Sequence, residues 1–103
     1  MMSEEFAMIC MQIVTNSGSA KSSYIEAIQK AKEGAFDEAE RLMEEGDEFF
    51  SAAHEIHGKL LVKEASGEQL EFALILIHAE DQMASTEMAK VMAKEIIELY
   101  QKK

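Results

Sequence analysis

Leu70-Glu-Phe-Ala-Leu-Ile-Leu-Ile-His78-Ala-Glu-Asp-Gln-Met-Ala-Ser-Thr-Glu-Met88-Ala-Lys-Val91 is the stretch that decides the fold. Within it Leu70, Leu74, Ile77, Asp81, Ala84, Met88 and Val91 follow one another at steps of four and three residues. That is the heptad spacing of a helix packed along a seam. Phe72, Ile75, Leu76 and Met83 make other faces apolar as well, which is more hydrophobic surface than two companion helices would cover. The surplus predicts an oligomer, because symmetric association buries it.

Two polar groups interrupt this stretch, His78 and Asp81, three positions apart and so on one helical face. Asp81 falls on the seam itself. Carboxylates from symmetry-related copies repel there unless they are protonated, hydrogen-bonded or bridged by a cation. In a trimer three Asp81 side chains can converge on an axis and hold a hard cation such as magnesium. The equally weighted alternative is a polar layer that only fixes register.

Outward from this stretch, the chain has no proline, only five glycines and abundant helix formers, which predicts an all-α protein. Gly34-Ala35 and Ser66-Gly67 are the best breaks and divide it into three segments, each about 45 Å long if fully helical. In the first, Phe6, Ile9, Ile13, Ser17, Ala20, Tyr24, Ala27 and Ala31 form an apolar stripe, with Asn16-Ser17-Gly18 as a place where the helix can bend. In the second the stripe is Phe36, Ala39, Met43, Gly46, Phe50, Ala53, His57 and Leu60. The expected architecture is one domain over 1–103: three long antiparallel helices in an up-down-up bundle that assembles as a trimer.

Composition excludes several functions. A net charge of −10 argues against nucleic acid and anionic membrane as partners. The apolar stretch Phe6–Val14 is preceded by Glu4 and Glu5 and is too short to span a bilayer, so neither a signal peptide nor direct membrane insertion is expected and the chain reads as cytoplasmic. The single cysteine, Cys10, sits among Met8, Ile9 and Met11 and reads as a packed thiol. His54 and His57 are at i and i+3, without the cysteines or the second ligand pair of a zinc site, so a histidine-lined metal bundle is the weakest reading.

A set of short motifs, in order along nearly the whole chain, raises His78 above the other histidines. Asn16-Ser-Gly-Ser-Ala-Lys21-Ser is followed by Ala31-Lys-Glu-Gly-Ala-Phe36, then Ala53-His54, Lys59-Leu-Leu, Glu64-Ala and Gly67, and finally Leu76-Ile-His-Ala-Glu-Asp-Gln82-Met. In this the sequence resembles the IIA component of the lactose and cellobiose/chitobiose class of the bacterial phosphoenolpyruvate-dependent sugar phosphotransferase system. The resemblance implies a homotrimer, with His78 in the place of a phosphorylated histidine that accepts its phosphoryl group from HPr and passes it to a cysteine of the IIB component. It puts Asp81 in the place of an axial carboxylate that, with its symmetry mates, holds a divalent cation, magnesium being the best match.

Where the family commonly reads His-Ala-Gln-Asp-His, this chain has Glu80 and Gln82 on either side of the aspartate. Gln82 can donate an amide hydrogen bond to a phosphoryl oxygen, while Glu80 adds negative charge near a site that accepts one. His57 stands where relatives often have glutamine and reads as structural. The alternative function that these departures suggest is a non-catalytic regulatory or interaction bundle keeping the fold. The sugar is expected to be a β-linked disaccharide of the lactose, cellobiose or chitobiose type. Its choice belongs to the membrane component rather than to this chain.

Overall fold

The computed structural model of the protein describes residues 3–70 and 73–103. They form three helices: α1, Glu4–Lys32; α2, Phe36–Ala65; and α3, Leu74–Gln101. Phe72, at the head of the apolar run, lies outside the described residues.

The ends of α1 follow from local chemistry. Ser3 caps it by accepting a hydrogen bond from the Phe6 N–H at 3.1 Å, and Glu4 and Glu5 meet the positive end of the helix dipole while Lys30 and Lys32 meet the negative end. Both expected breaks are real. Gly34 and Gly67 adopt φ of +81° and +96°, a backbone region that glycine enters without steric cost. At each the chain turns back on the last helical carbonyls, Ala35 N–H donating to Lys30 and Glu68 N–H to Lys63. The start of the third helix is a correction: the stripe read from the sequence begins at Leu70, yet the helix begins at Leu74, after an extended Ala73. Leu70 packs beside Phe6, Leu60 and Ala79 from the connecting segment instead.

The contacts give the direction of each helix. Phe6 near the start of α1 shares a cluster with Leu60 late in α2 and with Ala79 and Met83 early in α3. Ala20 and Tyr24 in the middle meet Ala93 and Phe49. Ala27 and Ala31 at the end meet Ala39 early in α2 and Ile97 late in α3. Hence α2 runs antiparallel to α1 and α3 parallel to it, an up-down-up bundle 53 Å long. Helix α1 packs along both of the others, which meet each other far less.

Asn16-Ser17-Gly18 leaves α1 unbroken. Ser17 is fully buried, and the hydroxyl of Thr86 donates to its carbonyl at 3.0 Å. Small side chains at this crossing let α1 and α3 approach closely. A second crossing is built around Gly46, whose missing side chain leaves room for the buried ring of Tyr24. The Tyr24 hydroxyl donates to Asp47 at 2.6 Å, and Lys90 of α3 reaches the same carboxylate at 2.9 Å, so one residue of α2 ties all three helices. Burial pushes the Tyr24 phenol well above its usual range, helped by the hydrogen bond to Asp47 and the charge of that carboxylate. Burial works against ionised Asp47, but the hydrogen bonds from Tyr24 and Lys90 and the charges of Lys90 and Lys94 outweigh it and lower the carboxyl.

Candidate functional site

Helix α3 carries two stripes of the same period. Ala79, Met83, Thr86, Ala93 and Ile97 are buried within the chain. The heptad read from the sequence is the other one, and it faces outward: Leu74 is 81% exposed, Met88 60%, Val91 49% and Ile77 47%, with Asp81 and Ala84 exposed between them. At about 100° per residue the two stripes lie on opposite sides of the helix.

His78 and Asp81 are brought together on the outward side. With Leu74, Ile75 and Ile77 they line one shallow, open depression on α3. Both are exposed. Among the described residues, no hydrogen bond or ion pair occupies the exposed imidazole, and Asp81 makes none either. Asp81 is an acid set among apolar side chains on the strip that would face other copies.

The two departures from the family pattern part company here. Glu80 lies about 160° around the helix from His78, since residues two apart do not share a face. It turns toward α2, where its carboxylate meets His57 Nε2 at 2.6 Å. Sequence reasoning missed this pair, whose members are 23 residues apart; the signal was that both are departures from what relatives carry. Gln82, one turn beyond His78 and on the same flank, accepts a hydrogen bond from Lys21 of α1 at 3.4 Å. Lys21 was legible only as part of a motif, because its meeting with α3 needs the parallel register.

The remaining candidates stand apart. His54 is exposed and packs against Phe50 with ring centroids 5.4 Å apart and nearly perpendicular planes. Among the described residues no three His, Cys, Asp or Glu side chains gather as a metal site within one chain. Cys10 is fully buried, and burial, then the nearby charge of Glu80, push its thiol up. It has the character of a packing residue rather than a nucleophile. No helix of the described residues is long and apolar enough to cross a membrane.

The described residues thus form a three-helix unit with an outward apolar heptad and an exposed histidine beside it. Comparison with known proteins gives the family. The family model described as "PTS system, Lactose/Cellobiose specific IIA subunit" matches residues 8–101. The lichenan-specific phosphotransferase enzyme IIA component of Bacillus subtilis (strain 168) is 41% identical over 101 residues, covering 98% of this chain and 92% of that relative. Among solved structures, the cellobiose-specific enzyme IIA of Bacillus anthracis superposes with a TM-score of 0.93 at 38% identity, over 99% of this chain and 93% of that one. The chitobiose IIA in its HPr complex from the Escherichia coli phosphotransferase system gives 0.83 at 30% identity, over 97% of each chain. The chain belongs to the lactose/cellobiose-specific IIA family of the sugar phosphotransferase system.

Proposed function

We propose that this IIA component is a cytoplasmic homotrimer that carries a phosphoryl group on His78, taken from HPr and delivered to a cysteine of a IIB component, for uptake of a β-linked disaccharide. The observation that carries the reading is His78 itself: an exposed imidazole without a hydrogen-bond or ion-pair partner among the described residues, beside an apolar depression, on the helix that presents the outward heptad. An HPr complex of a relative 30% identical supports HPr as donor.

The chemistry asks little of the protein. In the first step the unprotonated nitrogen of His78 attacks phosphorus, a P–N bond forms, and the bond to the donor's leaving atom breaks with its electron pair returning to the donor. In the second step a IIB cysteine thiolate attacks, the P–S bond forms, and the pair of the broken P–N bond returns to His78. One residue serves as nucleophile and then as leaving group, and the rest is in-line positioning and screening of the equatorial oxygens. An exposed histidine suits both steps because donor and acceptor must each reach it.

The outward heptad supports the trimer. Its exposed Leu74, Ile77, Met88 and Val91 are a continuous apolar strip that a chain alone leaves in water. Asp81 is the acid on that strip, and the donor set fits a hard cation, since three symmetry-related carboxylates offer only oxygen. When bound, a divalent ion, magnesium above all, would supply positive charge that offsets part of their mutual repulsion. Of the two departures that suggest the regulatory alternative, Glu80 pairs with His57 at 2.6 Å, which favours the transfer reading because residues two apart on a helix do not share a face.

Incubation with phosphoenolpyruvate, enzyme I and HPr tests the reading. The protein is expected to take up one acid-labile phosphoryl group per chain. Label that persists undiminished in His78→Ala refutes it.

A further inference from the structure

Four residues after His78, on the same flank of α3, Gln82 is held by a side chain from another helix. Lys21 Nζ of α1 lies 3.4 Å from Gln82 Oε1, and both side chains are half-buried where the two helices meet. Lysine has donors and no acceptor, so the carboxamide must offer it the oxygen. The amide NH2 then has no hydrogen-bond partner among the described residues. Without Lys21 the carboxamide could present either end toward His78, and its oxygen would repel an incoming phosphoryl group.

We propose that Lys21 is a positioning residue for phosphoryl transfer, acting through Gln82: by engaging the carboxamide oxygen it commits the NH2 to the phosphoryl oxygens on His78. This rests on the phosphohistidine reading above. Residues four apart on a helix have Cβ atoms about 5–6 Å apart, so a glutamine amide reaches the oxygens of a group carried on the histidine. The site also needs the bias. Asp81 lies one residue before Gln82 on an exposed face, and the NH2 is itself a neutral donor, weaker toward a phosphoryl oxygen than a charged one. A fixed donor speeds acceptance while leaving the group free to depart.

The test is a double-mutant cycle on the rate of transfer from phosphorylated HPr, using the full chain as wild type, Lys21→Met, Gln82→Met and both together. Each single variant is expected to be slower by about tenfold, the weight of one lost donor to a charged group, and the double variant no slower than either single one. Lys21→Arg, which keeps charge and donors, should retain most of the rate, and Lys21→Gln, which frees the Gln82 carboxamide to turn over, should not. In 15N-edited spectra the Gln82 side-chain NH2 should shift on phosphorylation in the wild type and not in Lys21→Met. Wild-type rates in Lys21→Met, or losses that multiply in the double variant, overturn the inference. A wild type that takes no label on His78 overturns the underlying reading instead, so the two failures are distinct.

Discussion

Replacing Gly46 by alanine should destabilise the protein even though it improves the helix. On propensity alone, Gly→Ala inside α2 gains about 1 kcal/mol. The structure reverses the sign. A Cβ on Gly46 would stand 2.6 Å from Cε1, 2.8 Å from Cδ1 and 3.0 Å from Cζ of Tyr24, whereas carbon atoms rest at about 3.5–4.0 Å. The ring is fully buried and anchored by its hydroxyl to Asp47, so its retreat strains the packing around Ala20 and Ala93. Such overpacking costs about 1–3 kcal/mol. Loosening the Tyr24–Asp47 bond adds only about 1 kcal/mol, because the carboxylate is 47% exposed and keeps Lys90. Less the propensity gain, the net loss is about 1–3 kcal/mol. Gly58 is the control: it lies inside the same helix with nothing within 4 Å of a built Cβ, so Gly58→Ala should stabilise by about 0.5–1 kcal/mol. Urea unfolding of both variants at one protein concentration measures the difference, since the proposed trimer would make the midpoint depend on concentration. If Gly46→Ala stabilises as much as Gly58→Ala, the locked Tyr24 ring is refuted.

Other consequences are as direct. Because burial and Asp47 raise the Tyr24 phenol above its ordinary value of 10.0, the fold favours the neutral form. The stability that this ring contributes is whole below pH 10 and is lost as the pH climbs from there toward the raised value; a titration followed at 295 nm should show it, and Tyr24→Phe should remove that loss. Asp81→Leu should leave an apolar seam and an intact trimer by sedimentation while abolishing divalent-cation binding by calorimetry, and unchanged metal stoichiometry would sink the axial site. Glu80→Gln should alter the transfer rate by less than about twofold, since the side chain is directed across the helix from His78; a tenfold acceleration would mean that its charge acts on the site after all. The same change should cost only about 0–1 kcal/mol, because the Glu80 carboxylate is half exposed.

Elements that depend on local chemistry were legible in the sequence. The two breaks were readable because Gly34 and Gly67 supply the left-handed turns that end α1 and α2. The stripes of α1 and α2 were readable because one face of each meets the core: Ile13, Ser17, Ala20, Tyr24 and Ala27 are buried as expected, as are Ala39, Ala53 and Leu60. Periodicity failed where two answers share a period. The stripe of Leu74, Ile77, Asp81 and Met88 and that of Ala79, Met83, Thr86 and Ala93 have the same heptad spacing, and nothing in the spacing says which one meets α1. Side-chain size favours the outward stripe, yet the chain buries two alanines, a threonine, a methionine and Ile97 instead, because α1 comes close enough for Ser17 and Thr86 to touch. At the candidate site, His78, Asp81 and Gln82 could be placed on one side of a helix by counting. The partners of Glu80 and Gln82 could not, since His57 and Lys21 arrive from other helices in a register set by the whole bundle.

This division of α3 fits the proposal that His78 carries an exchangeable group. One side of the helix is committed to α1 and the opposite side to the outward seam, so reactive side chains are left the two flanks between them. One flank is turned toward α2, whose His57 engages Glu80. The other flank holds His78 and Gln82, and the only side chain bonded there from another helix is Lys21 among the described residues. An acid at position 80 is therefore compatible with a phosphoryl group at 78 because it lies on the far flank, and it is retained there by a histidine where relatives often have glutamine. Separating the pair should show this: with His57→Gln, Glu80 loses its anchor, and any slowing of transfer in that variant should vanish when Glu80→Gln is added.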